Sequence, residues 1–127
     1  MTNDNMNILL IEDDLQNQDR LIQLILQINP KHDVDTAHSS VDAQRIIKKK
    51  KFDMVITEIN LTGGLHGNEL IQEIRYDCFK VGMATHLENA QIRMNFNDFL
   101  IKPISKSAIA DILTKANYNK GFNAQFS

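Results

Sequence analysis

Short apolar runs alternate with amphipathic stretches along this chain. Residues 8–11 are all aliphatic and stop at three consecutive acids, which is typical of a strand buried on both faces of a parallel sheet. Residues 15–28 then repeat apolar side chains at helical spacing as far as Asn29, where the following Pro30 disfavours further helix. The first 30 residues therefore predict a buried strand followed by an amphipathic helix.

The same alternation continues to the end of the chain. It predicts further strands at 32–37, 53–58, 80–85 and 98–101. It also predicts helices after Ser39 or Ser40, over 68–75, over 87–94 and after Ser105. The side chains expected to face inward are Leu21, Leu24, Ile25 and Ile28, then Val41, Ala43, Ile46 and Ile47, then Leu70, Ile71 and Ile74, and finally Ile109, Ile112, Leu113 and Ala116.

Five strands alternating with helices predict an α/β fold with a doubly wound, five-stranded parallel sheet. The expected strand order is 2-1-3-4-5, with right-handed crossovers and helices on both faces. At 127 residues and 43% hydrophobic content, we expect a single domain, with its core at about 6–117 and a polar tail at 118–127.

Composition excludes several classes of function. Sixteen acidic and 14 basic residues give a net charge of −2, so no general attraction to nucleic acid or anionic membrane is expected. The single cysteine forms no internal disulfide, and no apolar run is long enough for a signal peptide or a membrane span. We therefore expect a cytoplasmic protein. The four histidines are too scattered for a zinc site, and the run from Lys48 to Lys51 is interpreted as a solvated helix end.

Reactive side chains gather where the predicted strands end. Ligands of open α/β sheets bind outside the carboxyl ends of the strands. Strand one is followed by Glu12 and Asp13, strand three ends in Glu58, strand four ends in Thr85, and strand five is followed by Lys102. Carboxylate oxygens suit Mg²⁺ and a lysine suits a phosphoryl group. The pattern indicates one polar pocket at this edge of the sheet.

The layout resembles the receiver domains of two-component response regulators over about residues 6–117. The motifs that carry the resemblance are ILLIEDD at 8–14, FDMVITEINL at 52–61 and FLIKP at 99–103. The resemblance implies a flavodoxin-like (βα)5 fold. It also implies a weak Mg²⁺ site, if the site is retained, whose ligands are Glu12, Asp13, Glu58 and the backbone carbonyl of Asn60.

The resemblance assigns the remaining pocket residues as well. Glu58 takes the position of the family's phosphoacceptor aspartate, and Thr85 and Lys102 match the residues that bind phosphoryl oxygens. Phe99 matches the family's switch aromatic, although a simple core role is the favoured interpretation. Two more departures are Thr62, where the family usually has proline, and a short segment between Thr85 and Lys102, which predicts a shortened fourth helix.

Glutamate at position 58 argues against ordinary phosphorylation. The added methylene displaces the carboxylate by up to about 1.5 Å, and a misplacement near 1 Å costs a positioned reaction on the order of a hundredfold. Thr57 is no substitute, because neighbouring side chains of a strand point to opposite faces. An inert relic and a permanent, partial phosphate mimic both remain open interpretations of Glu58. In either case we predict that Glu58 contacts Lys102 directly, because the nearby acids make an unpaired carboxylate unfavourable.

The leading expectation is a stand-alone receiver-like signalling adaptor, or pseudo-receiver, which is not an enzyme. It would act by contact with a histidine kinase, a phosphotransfer protein or an output protein. One alternative is a working phosphoacceptor in a phosphorelay. An alternative of another class is a metal-dependent phosphatase or a cofactor-binding flavodoxin-like domain, which the lack of a glycine-rich turn after strand one disfavours.

Overall fold

A single parallel sheet forms the centre of the molecule. The structure is a computed structural model that describes residues 5–87 and 93–126. The strands are β1 (Asn7–Ile11), β2 (Asp33–Ala37), β3 (Met54–Glu58), β4 (Phe79–Ala84) and β5 (Asp98–Ile101). Their order is β2-β1-β3-β4-β5, so the predicted topology is confirmed. The order reverses between β1 and β3, and ligand sites of such sheets are expected where these two strands end.

Helices cover both faces of this sheet. They are α1 (Leu15–Ile28), α2 (Ser40–Lys49), α3 (Gly67–Leu70), which continues as a 3₁₀ turn (Ile71–Glu73), and the C-terminal helix α4 (Lys106–Phe126). Alternate side chains of each central strand enter opposite faces, so Leu10 packs with α1 and α4 whereas Leu9 packs with α2 and α3. The molecule thus has two apolar layers, as expected for a doubly wound sheet.

Local sequence explains where the helices begin. The side chain of Asp14 accepts hydrogen bonds from the backbone N–H groups of Gln16 and Asn17, which fixes the start of α1 directly after the acidic turn. Ser39, rather than Ser40, caps α2, and Ser105 caps α4 by accepting the N–H of Ala108. The predicted bounds of α1 are therefore confirmed at both ends.

Two details of the predicted helices are wrong. Val41 is 66% exposed, because it lies two residues, about 200°, from the inward-facing Ala43 around the axis of α2. The helix predicted over 68–75 ends earlier, as the 3₁₀ turn at Ile71–Glu73. Side chains three residues apart align in a 3₁₀ turn. This geometry suits the burial of both Ile71 and Ile74 against the sheet.

Other bounds differ from the prediction by one residue. The second and third strands begin at Asp33 and Met54, and β4 runs from Phe79 to Ala84, so Thr85 follows the strand instead of ending it. The helix predicted over 87–94 falls largely on residues 88–92, which lie outside the described residues.

The C-terminal segment predicted as a polar tail continues α4 as far as Phe126. Its sequence has no proline to stop the helix. Lys120 also ties the helix to the sheet, since its ammonium donates to the carbonyl of Asn5 at 2.6 Å and lies 3.5 Å from the Asp53 carboxylate. Within 5–87 and 93–126, no helix combines the length and apolar character needed to cross a membrane.

Candidate functional site

The ends of β1, β3 and β5 bring three charged side chains together. Glu12 directly follows β1, and its backbone N–H donates to the carbonyl of Ala37, which extends the pairing of β1 with β2. Glu58 is the last residue of β3. Lys102 follows β5, and its N–H donates to the carbonyl of Ala84. Backbone hydrogen bonds at the sheet edge therefore hold the chain in place on both sides of the pocket.

The Lys102 ammonium lies between the two glutamates. Its Nζ is 2.5 Å from Glu58 Oε1 and 3.0 Å from Glu12 Oε2. The side chains of Glu12, Glu58 and Lys102 are only 1%, 11% and 19% exposed. The predicted contact between Glu58 and Lys102 is confirmed, and Glu12 is a second partner that sequence reasoning did not assign to Lys102. These three residues are called the Glu–Lys–Glu cluster below.

Backbone geometry around Glu58 fixes the second oxygen of its carboxylate. Oε2 accepts the backbone N–H of Asn60 at 3.0 Å, so each oxygen of Glu58 has its own donor. The loop after β3 closes over this point because the N–H of Gly67 donates to the carbonyl of Ile59. A Cβ atom at position 67 would lie 2.2 Å from the Glu58 carbonyl oxygen, so only glycine allows this close approach.

Donors at and near the start of α1 form further hydrogen bonds with the Glu12 carboxylate. Its Oε1 accepts the N–H of Asp14 and its Oε2 accepts the side-chain amide of Asn17. The buried amide of Gln18 donates to the carbonyls of Glu12 and Ala37. Sequence reasoning missed both amides. A signal was present, because Gln18 is a polar residue three positions before Leu21, on the apolar stripe of α1.

The electrostatics of the cluster are unbalanced, with two carboxylates against one ammonium. Burial raises the pKa of Glu12, and the hydrogen bond and charge of Lys102 offset this only in part. Burial acting alone would lower the pKa of Lys102, but the hydrogen bonds with Glu58 and Glu12 outweigh it, so the pKa is raised. Lys102 is therefore held in its charged form, and the burial of Glu12 is what raises the pKa of that carboxyl.

The residues predicted as metal ligands do not assemble into one ligand set. The Asp13 carboxylate accepts the hydroxyl of Thr62 at 3.1 Å. Lys102 occupies the space between the two glutamates. In the part of the chain that the structure describes, no three His, Cys, Asp or Glu side chains converge as metal ligands do. Lys102 thus takes the place between the two glutamates where a cation would sit. Weak Mg²⁺ binding stays a prediction.

The other two predicted pocket residues stand apart from the cluster. Thr85 is exposed after β4, and within the described contacts it makes no hydrogen bond with Glu58 or Lys102. Phe99 on β5 is half-buried and packs edge-on against Phe96, with the ring centroids 5.4 Å apart. Gly82 on β4 lies close beneath the Phe99 ring. Phe99 is thus part of the packing between β4 and β5 in this structure.

Comparison with known proteins agrees with this layout. The family model described as the response regulator receiver domain matches residues 8–114. No curated protein has a significantly similar sequence.

Three solved structures illustrate the likeness of fold. The chemotaxis response regulator CheY4 of Vibrio cholerae is 18% identical, with a TM-score of 0.77 over 88% of this chain and 98% of that one. A CheY-like receiver domain protein from Methanospirillum hungatei is 17% identical, with a TM-score of 0.79 over 92% and 98%. The signal receiver domain of an HD domain-containing protein from Pseudomonas fluorescens is 16% identical, with a TM-score of 0.84 over 98% and 96%. At these identities the structures show the shared fold alone, whereas the family model covers most of the sequence. The chain therefore belongs to the response regulator receiver domain family.

Proposed function

We propose that this receiver domain signals by protein–protein contact, without phosphorylation at Glu58 and without catalysing a reaction. Glu58 ends β3, where the family's phosphoacceptor aspartate is expected. The observation that carries the proposal is the 2.5 Å contact between Glu58 Oε1 and Lys102 Nζ. The proposed partner is a protein of the same signalling class, such as a histidine kinase, a phosphotransfer protein or an output protein.

Attack on a phosphodonor needs a free carboxylate oxygen that points at the phosphorus atom. In Glu58 one oxygen binds Lys102 and the other accepts the N–H of Asn60. Whichever oxygen attacked would have to do so while it accepts a hydrogen bond, or lose that bond, and the longer side chain would still place the reacting oxygen wrongly. A misplacement of about 1 Å costs on the order of a hundredfold in rate. The geometry supports a domain that does not undergo the phosphorylation cycle.

The same contact supports partial mimicry of a phosphorylated state. A negative group at the end of β3 pairs permanently with Lys102, the residue that the family uses to bind a phosphoryl group. A carboxylate supplies one charge and two oxygens, whereas a phosphoryl group carries about −1.5 to −2 and three oxygens. The mimicry is therefore incomplete. We propose that the contact between Glu58 and Lys102 holds the pocket in a single state, and that a partner protein recognises this state.

Treatment with acetyl phosphate and Mg²⁺, followed by intact-mass spectrometry, tests this proposal. We expect no phosphate mass increment on the wild type, because Glu58 is too long and each of its oxygens already accepts a hydrogen bond. Glu58→Asp is the matched variant, since it keeps the charge and removes only one methylene. If Glu58→Asp is labelled and the wild type is not, the extra methylene of the glutamate is what prevents phosphorylation. A phosphate increment mapped to Glu58 in the wild type would sink the proposal and favour a working phosphorelay receiver.

A further inference from the structure

A basic groove lies at the edge of the sheet opposite the Glu–Lys–Glu cluster. It has a volume of about 520 Å³ and is formed where the end of α2 meets the segment after the 3₁₀ turn. Lys48 to Lys51 line it on one side and Arg75 and Tyr76 on the other. These side chains are called the basic groove below. The lysines precede β3, whereas Glu58 ends it, so the groove and the pocket lie at opposite ends of the same strand.

The helix dipole explains only part of this clustering of charge. Lys48 and Lys49 lie in the last turn of α2, where cations are favourable. Lys51 lies beyond the helix, with its ammonium 5.4 Å from the centre of the Tyr76 ring. Arg75 lies after the 3₁₀ turn, on a different segment of the chain. The favourable interaction of cations with the end of α2 therefore does not account for Lys51 and Arg75, which the fold adds to the same groove.

Acidic neighbours do not neutralise the groove. Lys50 is paired with Asp33 and Asp35 at 3.1 and 3.0 Å. Among the residues that the structure describes, no other cation of the groove lies within ion-pair distance of a carboxylate. Glu73 is the one acid that lines the groove, and it accepts the amide of Gln44. Five basic side chains thus line the groove with one acid, Glu73, and within the described residues only Lys50 among them is paired with carboxylates, those of Asp33 and Asp35.

The scaffold of the groove is fixed even though its charged ends are exposed. The Tyr76 hydroxyl accepts the backbone N–H of Phe52 at 2.9 Å, which ties the far wall of the groove to the segment that leads into β3. The Lys50 ammonium lies 5.5 Å from the centre of the Phe52 ring. A ligand would therefore meet a preformed concave surface, and less ordering on binding favours affinity.

We propose that the basic groove binds an acidic peptide segment of a partner protein. Several aspartate or glutamate side chains would satisfy the four cations that lack a carboxylate partner. A long nucleic acid is the poorer fit, because its charge extends past the groove and meets a molecule whose net charge is −2. This site gives the domain a contact surface that is independent of the chemistry at Glu58.

A fluorescein-labelled octaglutamate peptide, followed by fluorescence anisotropy at low salt, is the probe. Lys49→Gln combined with Arg75→Gln removes one cation from each side of the groove. We expect this double variant to weaken peptide binding roughly tenfold, the combined effect of two exposed charge contacts. NMR chemical shifts should change at residues 48–52 and 75–76 on addition of the peptide to the wild type.

The control removes the same charge elsewhere. Lys31 and Lys106 are exposed and lie outside the groove, so Lys31→Gln with Lys106→Gln should change peptide affinity less than about twofold. Equal weakening in both double variants would overturn the proposal, since it would indicate attraction by net charge alone. Absence of peptide binding, or tighter binding of a single-stranded DNA of matched charge, would overturn it too. None of these results bears on labelling at Glu58, so the two proposals fail separately.

Discussion

Lys102→Met is expected to destabilise the folded domain by about 3 kcal/mol, because breaking a buried ion pair leaves the remaining charge uncompensated. Here two carboxylates, those of Glu12 and Glu58, would lose their shared cation. Methionine keeps most of the apolar stem, so the loss reports mainly the charge. Urea unfolding with linear extrapolation measures the free energy of unfolding. Adding Glu58→Gln to Lys102→Met should recover part of that loss, because one of the two stranded charges is removed.

Lys115→Met is the matched control for this experiment. Lys115 also pairs with two acids, Asp98 and Asp111, at 2.9 and 3.1 Å, but its side chain is 51% exposed. Ion pairs on the surface contribute little to stability. We expect Lys115→Met to change the free energy of unfolding far less than Lys102→Met. Equal, small effects of the two substitutions would contradict a structural role for the Glu–Lys–Glu cluster.

The same substitution is expected to create a divalent cation site. In the wild type, the Lys102 ammonium holds both glutamates and repels a second cation, so we expect weak Mg²⁺ binding. In Lys102→Met the two carboxylates face each other without a counterion. At an effective dielectric near 20, one unit charge at 4 Å contributes about 4 kcal/mol, well above the 1.4 kcal/mol of a tenfold change in affinity. Mg²⁺ affinity should therefore rise at least about tenfold, as measured by isothermal titration calorimetry.

Two further observations sharpen that prediction. Mg²⁺ should raise the unfolding midpoint of Lys102→Met more than that of the wild type, since a ligand stabilises the state that binds it. Adding Glu12→Gln to Lys102→Met should remove most of the gained affinity, because one carboxylate of the site is lost. Sub-micromolar Mg²⁺ binding by the wild type would contradict the account. So would equal affinities in the wild type and Lys102→Met.

The sequence was most informative where a pattern depends on local chemistry. The aliphatic run of β1 and the break at Pro30 predicted the first strand and the end of the first helix. The acids after β1 and the lysine after β5 indicated where charged side chains would meet. Parallel strands end at the same edge of a sheet, which placed Glu58 and Lys102 at one pocket although β4 separates their strands. Their direct contact was predicted from charge, because the nearby acids make an unpaired Glu58 unfavourable.

The missed features depend on tertiary geometry. Asp13 and Glu12 are adjacent in sequence, yet Asp13 turns to Thr62 while Glu12 binds Lys102. The choice between them depends on donors that the fold supplies, such as the amide of Asn17. The basic groove was likewise hidden, because Arg75 lies more than 20 residues from the lysines and meets them only when the 3₁₀ turn packs beside α2.

The central claim, that Glu58 holds the charged side chain of Lys102, is tested most directly by the titration of Lys102 itself. The pKa of Lys102 is raised, so its contribution to stability is complete below the unfolded-state value and is lost as the pH rises through the folded-state value. NMR detection of the Lys102 ε-carbon from about pH 9 upward, in the wild type and in Glu58→Gln, measures the effect. The account predicts a higher pKa of Lys102 in the wild type than in Glu58→Gln. The same pKa in both proteins would contradict it.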